Sequence, residues 1–231
     1  YITLQHIIET ITGQSLRDFA KENIFDILGM QYTDYLPTIQ QQDGKWINTV
    51  ACPWMDWIAP TEKQKDGSVL CGQVHDPLAR ILNGGISGNA GIFSNANDIG
   101  ILAAALLNGG EYNGRRILSP LGVKTMCTVP RELTAFGRTP GWDIFSPYAS
   151  NKGDLFSPNT FGHTGYTGTS IIIDPDNDTA VILLVNAVHP EDRHSIVRLR
   201  SLVANAVAAS ICPPAQVYTD HYYKRFLRSE E

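Results

Sequence analysis

The stretch from Thr169 to Val185 constrains the fold more than any other. Two short apolar runs, Ile171 to Ile173 and Ala180 to Val185, flank the turn sequence Asp174-Pro175-Asp176-Asn177-Asp178. Runs rich in isoleucine and valine, separated by turn residues, predict a hairpin of two core strands. Because nearly every position in both runs is apolar, both sheet faces should be covered, most simply by helices. One cover is at hand, since Ile196, Leu199, Val203 and Val207 share one face of a C-terminal amphipathic helix.

Helical patterns also open the chain. Leu4, Ile7, Ile8 and Ile11 fall on one face, with Gly13 placed as a C-cap, which predicts a helix over 2–12. Ser15 with Asp18 resembles a capping arrangement, and Leu16, Phe19, Ala20 and Ile27 carry an apolar stripe up to Gly29. Residues 33–90, punctuated by prolines and glycines, read as a long structured loop region of the kind that tends to be functional or lid-like. Beyond it, Ser94 is expected to open a helix through Leu106, and Ser119-Pro120 another. The expected organisation is a helical and loop-rich region over 1–140, a sheet with its C-terminal helix over 141–211, and a tail over 212–231.

Charge and cysteine content narrow the partners. A net charge of -5 offers no basic stripe for a phosphate backbone, so nucleic acid is not expected. No apolar run approaches the length of a membrane span. Cys52, Cys71, Cys127 and Cys212 contain no C-x-x-C pair, and Cys52 to Cys71, within one loop-rich segment, is the expected bridge if there is one. The chain starts without methionine or a signal sequence, directly in a helical pattern with no cap before it. It is therefore expected to be a piece of something longer, stabilised by a companion fragment or by oligomeric contacts.

Standard catalytic signatures are absent from the 231 residues. No serine has lysine three positions on, and Gly-x-Ser-x-Gly does not occur. The spacing of histidines and cysteines fits no metal motif, so neither metal nor cofactor is expected. What remains is His163-Thr164-Gly165, placed just before the first apolar run. On its own this tripeptide is equally a turn or bulge before a strand, or a histidine filling a polar hole.

Its surroundings carry more. "IAPTE" at 58–62, "GQVHDPLA" at 72–79, "GNAGIFSNANDIG" at 88–100, "LLNGGEYNGRRILSP" at 106–120, "FGHTGYTGTSIIIDP" at 161–175 and "LVNAVHP" at 184–190 occur in that order. With "YITLQHIIETITGQSL" and "IFDILGM" nearer the start, the chain resembles the serine β-lactamase and DD-peptidase-like family, especially its esterase and carboxypeptidase-like members. The resemblance runs from Tyr1 to about Ser210.

It implies an α+β, transpeptidase-like fold: an antiparallel sheet flanked by helices, with a helical, loop-rich region before it and an N-terminal part missing. It also implies a serine hydrolase of extracytoplasmic habit that acylates itself on an ester, an amide or a D-alanyl peptide. Of the family's three motifs, Ser-x-x-Lys and the tyrosine motif would lie upstream of residue 1, and His163-Thr164-Gly165 matches the third. By the same resemblance the Tyr166 N–H is one oxyanion donor, Thr164 binds a substrate carboxylate or carbonyl, and Gly165 leaves the strand edge unobstructed. His163 stands where many relatives carry lysine; an imidazole titrates near neutrality, so anion recognition should be weaker or pH-dependent. Asn89 stands where relatives carry histidine, and either lines the substrate site or serves the turn. His75-Asp76 reads as a structural hydrogen-bonded pair. The rival expectation is a noncatalytic module of the same fold that binds peptidoglycan or a sugar.

Overall fold

The computed structural model describes residues 1–192 and 195–211; the expected tail and Cys212 lie outside the described residues. Helix α1 (Ile2–Thr12) ends where Gly13 turns left-handed and its N–H reaches the Glu9 carbonyl, as the sequence predicts. Helix α2 (Leu16–Ala20) is capped by Ser15, whose hydroxyl accepts from the Asp18 N–H at 3.1 Å and donates to the Asp18 carboxylate at 2.7 Å. A π turn over Lys21–Phe25 joins it to the short α3 (Asp26–Leu28). Leu16, Ala20, Phe25 and Leu28 pack there with Met30, Tyr35 and Ala105 in one core cluster.

The loop region contains only short elements. Strand β1 (Asp34–Tyr35) pairs antiparallel with β4 (Ile92–Phe93), and β2 (Thr38–Gln40) with β3 (Trp46–Asn48). Helix α4 spans Ala96–Leu107, and its cap is Asn95 rather than the expected Ser94. The Asn95 side-chain oxygen accepts from the Asp98 N–H at 2.8 Å, while Ser94 is taken by the Thr33 hydroxyl. A hairpin of β5 (Glu111–Tyr112) and β6 (Arg115–Arg116) leads to α5 (Pro120–Cys127), capped by Ser119 as expected.

The last part is the predicted hairpin with one more strand on its edge. Strands β7 (Phe161–Thr164), β8 (Ser170–Asp174) and β9 (Thr179–Leu183) form an antiparallel sheet in that order. Both faces are covered. Phe161 and Ile173 pack against Ala103 and Leu106 of α4 and Val123 of α5, whereas Ile172 and Val181 pack against Phe156 and Ala204. Ile173 has no exposed surface, and burying such a side chain stabilises by about 2–3 kcal/mol. Trp142 lies tilted against Phe161 with ring centroids 5.2 Å apart, extending the first of these clusters.

Helix α6 (Val197–Ser210) supplies the second cover, turned slightly from the expected stripe. Val203, Ala204 and Val207 face the sheet, Leu199 is exposed, and Arg200 occupies the buried position. The β8–β9 turn is organised by the fully buried Asp174, whose carboxylate accepts from Ser157 N–H and Oγ, Asp176 N–H and Asn177 Nδ2. Cys52 and Cys71 are free thiols, so the expected bridge is not formed; Cys127 is also free. No helix among the described residues is long and apolar enough to cross a membrane.

Candidate functional site

Strand β7 is the sheet edge, and its parity decides what that edge offers. Phe161 and His163 alternate with Gly162 and Thr164, and the Gly162 N–H and carbonyl face away from β8, exchanging hydrogen bonds of 3.0 and 2.9 Å with Asp143. Two residues on, Thr164 has the same parity, and after it comes Tyr166 in the turn toward β8. Among the described residues no backbone carbonyl takes the Tyr166 N–H. The edge is thus closed at Gly162 and has no backbone partner at the Tyr166 N–H, while the Thr164 carbonyl between them is met by the His163 ring.

The His163 ring is held from both nitrogens. Its Nδ1 lies 3.0 Å from the Thr164 carbonyl, which can only accept, so Nδ1 carries the proton. Its Nε2 lies 3.4 Å from the Arg138 guanidinium, which can only donate. Arg138 in turn pairs with the buried Asp143 at 2.8 Å, and Asp143 accepts from the Ser146 hydroxyl at 2.6 Å. A cavity of about 20 Å³, room for one water, adjoins His163, Asp143, Asn151 and Lys152. Burial pushes the Lys152 amine below its usual value, with Asp174 opposing, and its donors go to the carbonyls of Ile144 and Thr160.

The turn after β7 is fixed on three sides. The Gly165 N–H reaches the Thr169 carbonyl at 2.7 Å, and the Thr167 carbonyl accepts from Ala187 at 2.7 Å. Beneath the turn, Arg200 of α6 donates to the carbonyls of Gly165 at 2.8 Å and Thr169 at 2.9 Å. Glycine fits closely at two positions, and at Gly168 the backbone requires it. A Cβ on Gly165 would meet Thr169 Oγ1 at 2.3 Å, and Gly168 combines φ +124° with a Val185 carbonyl 2.3 Å from where its Cβ would stand. The closeness of Thr169 is a packing reason for Gly165, additional to the unobstructed edge expected from the sequence.

The Tyr166 side chain stands outward, 75% exposed. Its ring stacks on His75 with centroids 5.6 Å apart, and its hydroxyl donates to Asp192. That hydrogen bond, and then the charge of Asp192, hold the phenol above its ordinary pKa. His75 is not bonded to Asp76 as the sequence suggested: its Nε2 lies 3.6 Å from Glu62, while Asp76 caps the following turn by accepting from the N–H groups of Leu78 and Ala79. An Asx cap satisfies Asp76 locally and frees the histidine to face the strand turn.

The beta-lactamase family model matches residues 1–205. The chain belongs to that family. A protein of Escherichia coli (strain K12) described as "Putative D-alanyl-D-alanine carboxypeptidase" is 36% identical over 203 residues, a match covering 82% of this chain and 44% of the relative. The chain thus spans less than half the length of that relative. Among solved structures, a beta-lactamase from Mycobacterium bovis aligns with TM-score 0.57 at 20% identity, over 90% of this chain and 61% of the other. Simvastatin synthase from Aspergillus terreus aligns with TM-score 0.59 at 16% identity, over 91% and 54%. A family VIII carboxylesterase aligns with TM-score 0.54 at 18% identity, over 88% and 55%. These structures share the fold.

Within this beta-lactamase-family fold, His163, Thr164, Gly165 and Tyr166 lie together on one strand end and its turn, as their adjacency requires. Asn89 is engaged elsewhere: its amide donates to Asp76 at 3.2 Å and its oxygen accepts from Ser87 at 2.6 Å. Among the described residues its side chain reaches toward the strand turn through Asp76, the chain neighbour of His75. Three residues of the site escaped the sequence reading, namely Arg138, Arg200 and Asp192. Only Arg200 had a signal, an arginine four residues after Ile196 and three before Val203, inside the apolar stripe of a helix.

Proposed function

We propose that the chain supplies the substrate-side strand and one oxyanion donor of a serine hydrolase, acting on an ester, an amide or a D-alanyl peptide through an acyl-enzyme. The observation that carries this is the Tyr166 N–H just past the end of the edge strand, which has no backbone acceptor among the described residues. An acyl transfer develops negative charge on the carbonyl oxygen, and one fixed N–H donor there contributes about 3 kcal/mol. The second donor and the attacking hydroxyl come from a segment preceding Tyr1, consistent with the absence of Ser-x-x-Lys in these residues.

Thr164 hydrogen-bonds the substrate carboxylate or carbonyl from the strand end, and Gly165 keeps the approach clear. His163 borders the substrate, with Arg138 behind it supplying positive charge where relatives carry lysine. Asn89 acts at one remove, through Asp76 and His75. Family habit places the enzyme in the cell envelope. A companion segment or second copy has a surface to cover, because Leu4, Ile7 and Ile11 of α1 are 54%, 45% and 79% exposed.

The test is covalent labelling. Residues 1–231 alone should take neither a fluorescent penicillin nor a fluorophosphonate, whereas the protein with its preceding segment should take one equivalent on serine. A stoichiometric serine adduct on residues 1–231 alone, or none on the longer protein, would overturn the proposal.

A further inference from the structure

Arg200 is an anomaly in its helix. It is 7% exposed, packed beneath a sheet, and among the described residues no carboxylate pairs with it. Its Nε has no hydrogen-bond partner, and one terminal nitrogen reaches only the Asn151 amide oxygen at 3.4 Å. Burying a guanidinium without a counter-ion is costly, so a residue selected for stability alone would not be charged here. The other terminal nitrogen shows what the charge is directed at: the Gly165 carbonyl at 2.8 Å and the Thr169 carbonyl at 2.9 Å.

The Gly165 carbonyl belongs to the same planar unit as the Tyr166 N–H. In a trans peptide the C=O and N–H point in opposite directions, so whatever grips the oxygen aims the hydrogen. Arg200 pulls the oxygen toward α6, and the Gly168 N–H binds the same oxygen at 3.1 Å. The N–H is thereby turned away from the core. A cation on the carbonyl also polarises the amide and strengthens its N–H as a donor.

Resting on the hydrolase reading above, we propose that Arg200 is a positioning residue: it locks the Gly165–Tyr166 peptide plane and charges its N–H for oxyanion binding. It never touches substrate. Its effect should therefore fall on the transition state, where the oxyanion exists, and leave ground-state binding unchanged.

Two measurements on the full-length protein test this, with R200M, R200K and, as a control on the same helix, R198M. By amide hydrogen exchange, peptides covering 165–169 should lose protection about tenfold or more in R200M, with β9 peptides unchanged. With a chromogenic ester, R200M should lower kcat about 10- to 100-fold at a KM within about twofold, and weaken a boronate transition-state analogue in parallel. R200K, which keeps the charge but loses the fork, should be intermediate, and R198M silent. Exchange and kcat unchanged in R200M, or a KM raised as much as kcat falls in both variants, would overturn the proposal. If R200M does not fold, R200K decides by the same two criteria. An unsubstituted protein that takes no fluorophosphonate overturns the hydrolase reading and this proposal with it. A labelled unsubstituted protein whose R200M variant keeps its kcat overturns this proposal alone.

Discussion

Arg138 holds the Nε2 face of His163 at 3.4 Å, while the Nδ1 face is spent on the Thr164 carbonyl. A guanidinium therefore already sits beside the imidazole. Replacing His163 by lysine would set two cations together beside Asp143. Partial exposure of Arg138 screens the repulsion, which leaves a cost of about 1 kcal/mol. We expect H163K to lower the melting temperature, and H163K combined with R138Q to recover most of the loss. Thermal melts of the two single variants and the double variant measure this coupling directly; purely additive losses would show that Arg138 and His163 are independent.

Tyr166 separates backbone from side chain in one residue. The proposed chemistry uses its N–H, whereas its hydroxyl is bound to Asp192 at the rim. Y166F keeps the N–H and the ring stacked on His75. Its kcat on an ester in the full-length protein should stay within about threefold of the parent, because no donor to the oxyanion is lost. A hundredfold fall would instead make the phenol a proton carrier.

What the sequence made legible, and what it did not, follows from the range of the forces involved. The hairpin of β8 and β9 and the helix α1 were readable because apolar periodicity and turn residues act within a few positions. The cap of α4 lies one residue beyond Ser94 because Ser94 and Asn95 are both good caps, and the choice falls to Thr33, which lies 61 residues away from Ser94 in sequence. Adjacency in sequence points His75 to Asp76, yet its contacts are Tyr166 and Glu62, which no local rule connects. The site tripeptide was visible only through resemblance. Arg200 was visible as a charge in an apolar stripe, but its targets, the carbonyls of Gly165 and Thr169, are defined by the closed turn.

The thiols should differ sharply in reactivity. Cys71 is exposed, whereas burial pushes the Cys127 thiol up to about 11 and the Cys52 thiol above its ordinary value. The thiolate is the reactive form, so iodoacetamide at pH 8 should modify Cys71 first and Cys127 slowest of the three. Peptide mapping without reductant checks this. A Cys52–Cys71 disulfide peptide in the unreduced sample would contradict the free thiols of the structure.

Asp174 should set part of the acid stability. Burial pushes its carboxyl up, but the hydrogen bonds from Ser157, Asn177 and Asp176 outweigh that, and the net result is a pKa below the ordinary carboxylate value. A group depressed in the folded state binds its proton more readily when unfolded. Its contribution is therefore complete above the unfolded value, about 4, and is lost as pH falls through the lower folded value. Above pH 5, D174A should cost about 3 kcal/mol, since it leaves the Ser157 N–H and other buried donors without an acceptor. Near pH 3 the difference between D174A and the parent should shrink, because the parent is losing its own contribution there. Urea unfolding of both proteins at several pH values gives the two curves, and a difference that stayed constant from pH 7 to pH 3 would mean that the carboxylate charge plays no part in closing the β8–β9 turn.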